Sequence, residues 1–341
     1  MILSQSVCAP VPVTRHYETV VCDVCGTAGG TVLARIPAPA AIADPLQRFC
    51  VETLEFPRSG IALVLCPACG FGYQDPRLSE VGMQAFYARF YDPAGPSGAY
   101  HRTAQPELER ARYEAITAAG HTSGSVLDVG AGKGYALEAF PPSSWKRHGL
   151  DVSSEALATL RARLPDAAVI EGSLSQVDLP DGAFDVVTMN STLEHLRDPI
   201  DTLLAARRIL KPGGLLVFNV PNLDSASRFL ADRTGGGWFG FTPEHLNYFT
   251  PKVLTRIAHD VGFSGQRHHT VGFERTRGRW GHLGQQFVRI GSGLKRLALG
   301  GPEARQRLTA GFSVVADWPF SSTPLGRRLH YGENITGFWT A

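Results

Sequence analysis

Val126-Leu127-Asp128-Val129-Gly130-Ala131-Gly132-Lys133-Gly134 decides the fold. The apolar residues through Val129 describe a buried strand, and the three glycines after it describe a tight loop that opens a helix at Tyr135. Backbone without side chains can approach a ligand closely. A nicotinamide-type fingerprint puts its third glycine at position 135, where Tyr135 stands. The spacing is therefore Gly-x-Gly-x-Gly preceded by an acid, which by itself suits several nucleotide-like cofactors.

Working outward, short apolar runs fit for buried strands recur at 125–129, 147–151, 168–171, 184–190 and 214–220, separated by helix-length segments. That alternation predicts βαβ repetition and a parallel sheet. Gly265 to Phe273 continues the strand pattern, and Ile335 to Trp339 closes it. Residues 276–330 read as a helical insertion. Upstream, Pro76 to Tyr91 and Pro106 to Ala119 each carry an early proline followed by good helix formers, so both read as linking helices. The expected organisation is a small module at 1–75, a helical linker at 76–123 and an α/β domain at 124–341.

Asp151, 23 residues after Asp128, ends the second strand where an acid can accept hydrogen bonds from ribose hydroxyls. Leu179-Pro180-Asp181-Gly182-Ala183-Phe184-Asp185-Val186-Val187 then precedes Asn190, and Leu210-Lys211-Pro212-Gly213-Gly214 precedes a further apolar strand. These four segments in this order resemble the class I S-adenosylmethionine-dependent methyltransferase family over roughly residues 105–275. The resemblance implies an α/β, Rossmann-like sheet of seven mostly parallel strands. It also implies that Asp128, Gly130 and Gly132 lie along the methionine part of the cofactor and that Asp151 binds its ribose. Gly172, Ser173 and Leu174 fall near adenine, with Ser173 where the family often has an acid, and Asn190 belongs to the same cofactor-binding set. A sulfonium methyl donor is already activated, so such a protein mainly aligns a nucleophile and excludes water.

Two further motifs stand upstream. Cys22-Asp23-Val24-Cys25-Gly26 and Cys66-Pro67-Ala68-Cys69-Gly70 are knuckles of one form, each presenting two thiolates on a tight turn. Together they make a tetrahedral Cys₄ site for a structural Zn²⁺, with no open position for catalysis. A thioredoxin-like redox pair would need a helix start in a βαβ setting, which neither knuckle has. Cys8 and Cys50 fall outside the scheme. With Phe71 to Arg77 and the aromatic run Phe86 to Tyr91, the module resembles the N-terminal part of bacterial methyltransferases of glycan and natural-product pathways. It is also similar to the zinc-binding domain of deoxysugar C-methyltransferases.

Two Glu-His pairs are candidates for chemistry. Leu193-Glu194-His195-Leu196 follows the fourth strand, where open α/β sheets place functional groups. In the ubiquinone-pathway O-methyltransferases a similar pair belongs to a metal site with an acid three residues earlier; here that place is Ser191. Thr242-Pro243-Glu244-His245 follows the fifth strand behind Gly235-Gly236-Gly237-Trp238, whose glycines suit a mobile flap. It resembles the stretch of the sugar C-methyltransferases in which the histidine is the base, with Thr242 replacing that family's tyrosine. His245, His195 and Glu244 are the catalytic candidates, and histidine suits proton removal near neutrality. For each histidine, a purely structural hydrogen-bonding role is the competing assignment.

With 43% apolar and 19% charged residues the chain reads as globular, and a net charge of +2 gives no global attraction to nucleic acid. Residues 256–310 nevertheless hold ten Lys or Arg against three Asp or Glu. Leu283, Phe287, Ile290, Leu294 and Leu297 recur there at helical spacing. The stripe is packed on the core, or serves as a lid over a phosphate-bearing substrate such as a nucleotide sugar, or lies on anionic lipid. No apolar run approaches the ~18 residues that span a bilayer, and no signal-peptide pattern opens the chain. A cytoplasmic enzyme acting on a small molecule, at carbon or oxygen, is the leading expectation. An RNA methyltransferase guided by the zinc module and a cofactor-binding scaffold without turnover compete with it.

Overall fold

The computed structural model describes residues 10–37, 45–91, 106–225, 228–229, 238, 240–271 and 334–341. The expected 276–330 insertion with its apolar stripe, Cys8 and Gly235 to Gly237 therefore lie outside the described residues.

The five runs expected as strands in the centre of the chain form β7 (Gly124–Val129), β8 (Trp145–Asp151), β9 (Ala168–Glu171), β10 (Phe184–Asn190) and β11 (Leu210–Pro221). Two more, β13 (Gln266–Val271) and β14 (Asn334–Thr340), complete a seven-stranded sheet in the order β13-β14-β11-β10-β7-β8-β9. The five central strands are mutually parallel, and only β14 runs against its neighbours. Strand order reverses between β7 and β10, so the crevice beyond their carboxyl ends is the place where an open α/β sheet takes a ligand. Continuous burial along Val186 to Met189 and Leu215 to Phe218 follows from layers on both faces. Helices α4 (Ser154–Arg163), α5 (Pro199–Ile209) and α6 (Pro251–Asp260) supply apolar residues to those layers, α5 through Ile200, Leu203, Ala206 and Ile209 at a spacing of three.

Two expected helices differ. In place of the helix opening at Tyr135 there is a single 3₁₀ turn, Leu137–Ala139. Pro141 and Pro142 follow directly, and a proline at 141 would clash with the Leu137 carbonyl and has no N–H to continue a helix. The helix expected from Pro76 begins as α2 (Glu80–Tyr91), because Arg77–Leu78 forms the strand β6 on the edge of a small sheet with β1 (Val11–Pro12) and β2 (Tyr17–Thr19). The linker helix α3 (Pro106–Ala118) stands as read.

The cysteine region is built on β3 (Thr31–Ile36), β4 (Ile61–Leu65) and β5 (Gly72–Asp75), with α1 (Pro45–Thr53) between β3 and β4. Its sheet is completed by β12 (Asn247–Tyr248), a strand from the far part of the chain that pairs antiparallel with β5. A Cβ on Gly72 would lie 2.8 Å from the Tyr248 Cβ, so glycine permits that approach. Cys22, Cys66, Phe71 and Tyr73 belong to the same apolar cluster as Leu127, Val187, Phe218, Phe249 and Leu254. Module and large sheet thus share a core. No helix among the described residues is long and apolar enough to cross a membrane.

Candidate active site

Beyond β7 the chain turns through Gly130, Gly132 and Gly134, all at positive φ (72, 52 and 80°), where side chains strain the backbone. Gly130 has a second reason to lack a Cβ, which would lie 2.6 Å from Thr192 Oγ1. That hydroxyl donates to the Val129 carbonyl at 3.0 Å and locks the loop to the segment after β10. The Asp151 carboxylate accepts the Gly132 N–H at 2.8 Å and the Ser153 N–H at 2.9 Å. Burial raises its pKa against those N–H groups, which lower it. Each oxygen retains acceptor capacity toward a ligand hydroxyl. Gly172 continues the same rim, donating its N–H to the Asp151 carbonyl at 2.9 Å.

Asp128 is buried one strand over and accepts the Thr188 hydroxyl at 2.6 Å. Burial pushes its pKa up to about 7, with that hydroxyl pulling the other way. Leu174 is buried, while Ser173 exchanges a hydrogen bond with Ser175, which in turn donates to Asp198. Asn190, the last residue of β10, has a buried side-chain oxygen without a hydrogen-bond partner among the described residues. It stands at the strand-order reversal, as a ligand-facing group would.

Thr192 leads straight into a 3₁₀ turn, Leu193–His195. The His195 ring lies 4.7 Å from the His245 ring, edge to face, so the fold brings the two Glu-His motifs together. His195 Nδ1 is 3.0 Å from the Glu244 carbonyl, and His245 Nδ1 is 2.9 Å from the Gly240 carbonyl. A carbonyl only accepts, so both Nδ1 atoms carry the proton and both Nε2 atoms keep a lone pair. Burial lowers both pKa values, His195 to about 3 with help from His245, and His245 to about 4. Both rings are neutral bases at neutral pH.

The carboxyl in this cluster is that of Glu194. Glu194 is 2% exposed, one of its oxygens has no hydrogen-bond partner among the described residues, and burial raises its pKa to about 8. Glu194, His195 and His245 each offer a ligand atom within 4.8 Å of the others. Two imidazoles and a carboxylate are also a composition that divalent transition metals accept. Glu244 contributes its main-chain carbonyl to His195, and its carboxylate charge helps raise the Tyr17 and Tyr248 pKa values, behind the larger effect of burial. Sequence reading named the Glu194-His195 pair for its histidine and passed over the acid.

The four knuckle cysteines also converge, their sulfurs within 4.8 Å of one another. Cys22 and Cys69 sulfurs are 3.4 Å apart, Cys25 and Cys66 3.5 Å. Tetrahedral zinc with Zn–S near 2.3 Å sets sulfurs about 3.8 Å apart, a spacing close to that of this set, whose sulfurs lie from 3.4 Å to within 4.8 Å of one another. Gly26 and Gly70 occupy the same place in each knuckle, at φ 72 and 76°, and donate N–H to the Cys22 and Cys66 carbonyls. The hydrogen bond from Cys22 holds the Cys69 thiol down to about 5 and pushes Cys22 up.

Residues 100–268 match the family model described as a methyltransferase domain. A protein of Mycolicibacterium smegmatis named a probable S-adenosylmethionine-dependent methyltransferase is 34% identical over 138 residues, covering 40% of this chain and 51% of that protein. A ubiquinone biosynthesis O-methyltransferase of Methylococcus capsulatus is 29% identical over 208 residues, 57% of this chain and 84% of the relative. The solved structure of a SAM dependent methyltransferase from Archaeoglobus fulgidus matches with a TM-score of 0.44 at 18% identity, over 70% of this chain and 95% of that one. The chain spans about half the length of the curated relatives at the head of these matches, 51% and 49%.

Proposed function

We propose that this chain, whose residues 100–268 form an S-adenosylmethionine-dependent methyltransferase domain, moves the methyl group of S-adenosylmethionine to carbon or oxygen of a small molecule, with His245 as general base. The observation that carries the reading is the histidine pair. Two neutral imidazoles, each with Nδ1–H held by a carbonyl, present Nε2 lone pairs close together: His195 stands three residues past Thr192, which touches the glycine loop, and the His245 ring lies 4.7 Å from the His195 ring. A base so close to the methyl donor's loop suits a nucleophile that must lose a proton as it attacks.

In this reading Asp128, Gly130 and Gly132 lie along the methionine portion, Asp151 takes the ribose hydroxyls, and Gly172, Ser173, Leu174 and Asn190 line the remainder. The pre-set Asp151 carboxylate and the unpartnered Asn190 oxygen support those assignments. Cys22, Cys25, Cys66 and Cys69 hold a structural Zn²⁺. A sugar, free or nucleotide-linked, is the favoured acceptor, on the resemblance of the cysteine module and the second Glu-His stretch.

A second reading rests on the Glu194 carboxyl, one of whose buried oxygens has no hydrogen-bond partner among the described residues, beside the two imidazoles. The trio would then hold a divalent metal that binds the acceptor's oxygen. Metal content separates the two: one zinc per chain fits the cysteine site alone, and a second equivalent lost from His245→Ala fits the trio. Turnover is sought with labelled S-adenosylmethionine against nucleotide sugars, small-molecule extracts and RNA. Replacement of His245 by Ala is expected to slow transfer by ~10²–10⁴-fold while cofactor binding persists. Near-normal turnover by that variant overturns the base, and label found only in RNA overturns the acceptor class.

A further inference from the structure

Gln74 lies on β5 of the cysteine module and is fully buried. Its side-chain amide faces the second Glu-His stretch, 168 residues away in sequence. Its nitrogen donates to the Thr242 carbonyl at 2.9 Å and the His245 carbonyl at 3.2 Å, with the Tyr248 hydroxyl at 3.4 Å. The Tyr248 hydroxyl itself donates to the His245 carbonyl at 2.6 Å. The Gln74 main-chain N–H donates to the Leu246 carbonyl at 2.9 Å, and the Leu246 N–H donates to the Glu194 carbonyl at 2.7 Å. A single line of hydrogen bonds thus runs from the module's inner strand, through the residue after His245, to the turn that carries His195.

Asn247 closes the line from the other side, its side-chain nitrogen donating to the Leu193 and Leu196 carbonyls at 2.9 and 2.6 Å. Arg77, beyond β5, donates to the Arg197 carbonyl at 3.2 Å while its other nitrogens meet Glu18 and Asp23. These contacts bear on the backbone either side of each histidine and leave the rings to their Nδ1–H bonds. With backbone and Nδ1 both fixed, the direction of each Nε2 follows.

We propose that Gln74 is a positioning residue through which the cysteine module sets the His245 imidazole against His195. The inference rests on the reading of His245 as base only for its catalytic use; the positioning itself stands on the geometry. Glutamine has the reach and the donors for this work. Asparagine is one methylene short, methionine keeps the shape but leaves the carbonyls unpaired, and glutamate would set an acceptor against acceptors.

The test uses the full chain with isotope-labelled histidine. Nuclear magnetic resonance reads the tautomer and titration of His245, and calorimetry reads S-adenosylmethionine affinity. In Gln74→Met the His245 ring should lose its single Nδ1–H tautomer and titrate nearer the free-imidazole value, while His148 beside β7 and the cofactor affinity hold within about twofold. Methyl transfer should fall ~10–100-fold in kcat with KM for the cofactor unchanged, the scale of a small misplacement. Gln74→Asn, the gentler change, and Tyr248→Phe, which removes one of the two donors to the His245 carbonyl, should shift the same signals less. Unmoved His245 signals in Gln74→Met overturn the proposal, as does a loss of cofactor affinity and His148 dispersion equal to the change at His245. If His245→Ala turns over normally while Gln74→Met still shifts the His245 signals, the base reading falls and the positioning stands.

Discussion

The glycine loop and the histidine pair are neighbours, joined through Thr192, yet they are built in opposite ways. The loop is local. Asp128 to Gly134 are contiguous, and their partners Asp151 and Thr192 sit at the ends of the two adjoining strands. The histidine pair is assembled from three distant stretches: the turn after β10, the segment before β12, and β5 of the cysteine module. A local site is held by the sheet that creates it. An assembled site is only as ordered as the least stable of its contributors, and here one contributor is the small sheet that carries the cysteine knuckles.

The most severe way to break the contrast is to disable the module. Structural zinc in small cysteine modules contributes on the order of 10 kcal/mol of folding free energy. Cys66→Ser, or chelation of the proposed zinc, should therefore release β4 and β5 and with them β12. Hydrogen exchange is expected to accelerate by orders of magnitude at Leu246 to Tyr248, with amides of β7 and β10 nearly unchanged. Equal acceleration at both places would show that the two regions are one cooperative unit.

The converse experiment damages the loop and spares the pair. Gly130→Ala places a methyl 2.6 Å from Thr192 Oγ1 at a φ of 72°. Positive φ alone costs about 1–3 kcal/mol. S-adenosylmethionine affinity should fall at least tenfold, and Thr192→Ala in the same chain should restore part of it by removing the clashing atoms. Histidine resonances should move little in either chain.

What was legible in the sequence follows the same division. The strands from β7 to β11 were readable because each is a run of apolar residues with its glycine or acid beside it. The helix expected from Tyr135 does not form because Pro141 and Pro142 stand six residues on and cannot continue it. The helix from Pro76 failed because Arg77 is held by Glu18 and Asp23, more than fifty residues away. Gln74 and Glu194 carry no local sign of their roles: each is a polar residue in an apolar stretch whose partner can be named only once the chain is folded. The two Glu-His motifs were visible singly, but their meeting was not, since no periodicity links residues 195 and 245.

Protonation offers a milder probe of the pair. Both histidines have folded pKa values below the unfolded value of about 6.5, so the unfolded chain binds more protons and stability is lost as pH falls through the window from 6.5 toward 4 and 3. Glu194 has the opposite sign. Its folded value of about 8 exceeds the unfolded one, so its contribution is complete below about 4.5 and is lost as pH rises toward 8. From these three groups stability peaks near pH 6.5 and falls by about 1 kcal/mol by pH 8, and Asp128, held up to about 7, adds a loss of the same sign as Glu194. Glu194→Gln should flatten the alkaline arm and keep the acid arm, followed by denaturant unfolding across pH. A divalent metal in the trio would hold Glu194 ionised and remove the alkaline arm from the native chain, so the same curve also separates the two chemical readings.

The smallest effect expected belongs to the loop side and shows how far its locality extends. Ser153 caps α4, its hydroxyl accepting the Ala156 N–H at 3.2 Å, while its own N–H holds Asp151. Ser153→Ala removes the cap and keeps the N–H, so stability should fall by about 1 kcal/mol. The Asp151 carboxylate keeps both of its main-chain donors, and cofactor affinity should drop less than threefold. A larger loss of affinity would mean that the start of α4, and not the strand end alone, orients Asp151. The loop would then share with the histidine pair a dependence on an element beyond its own strands.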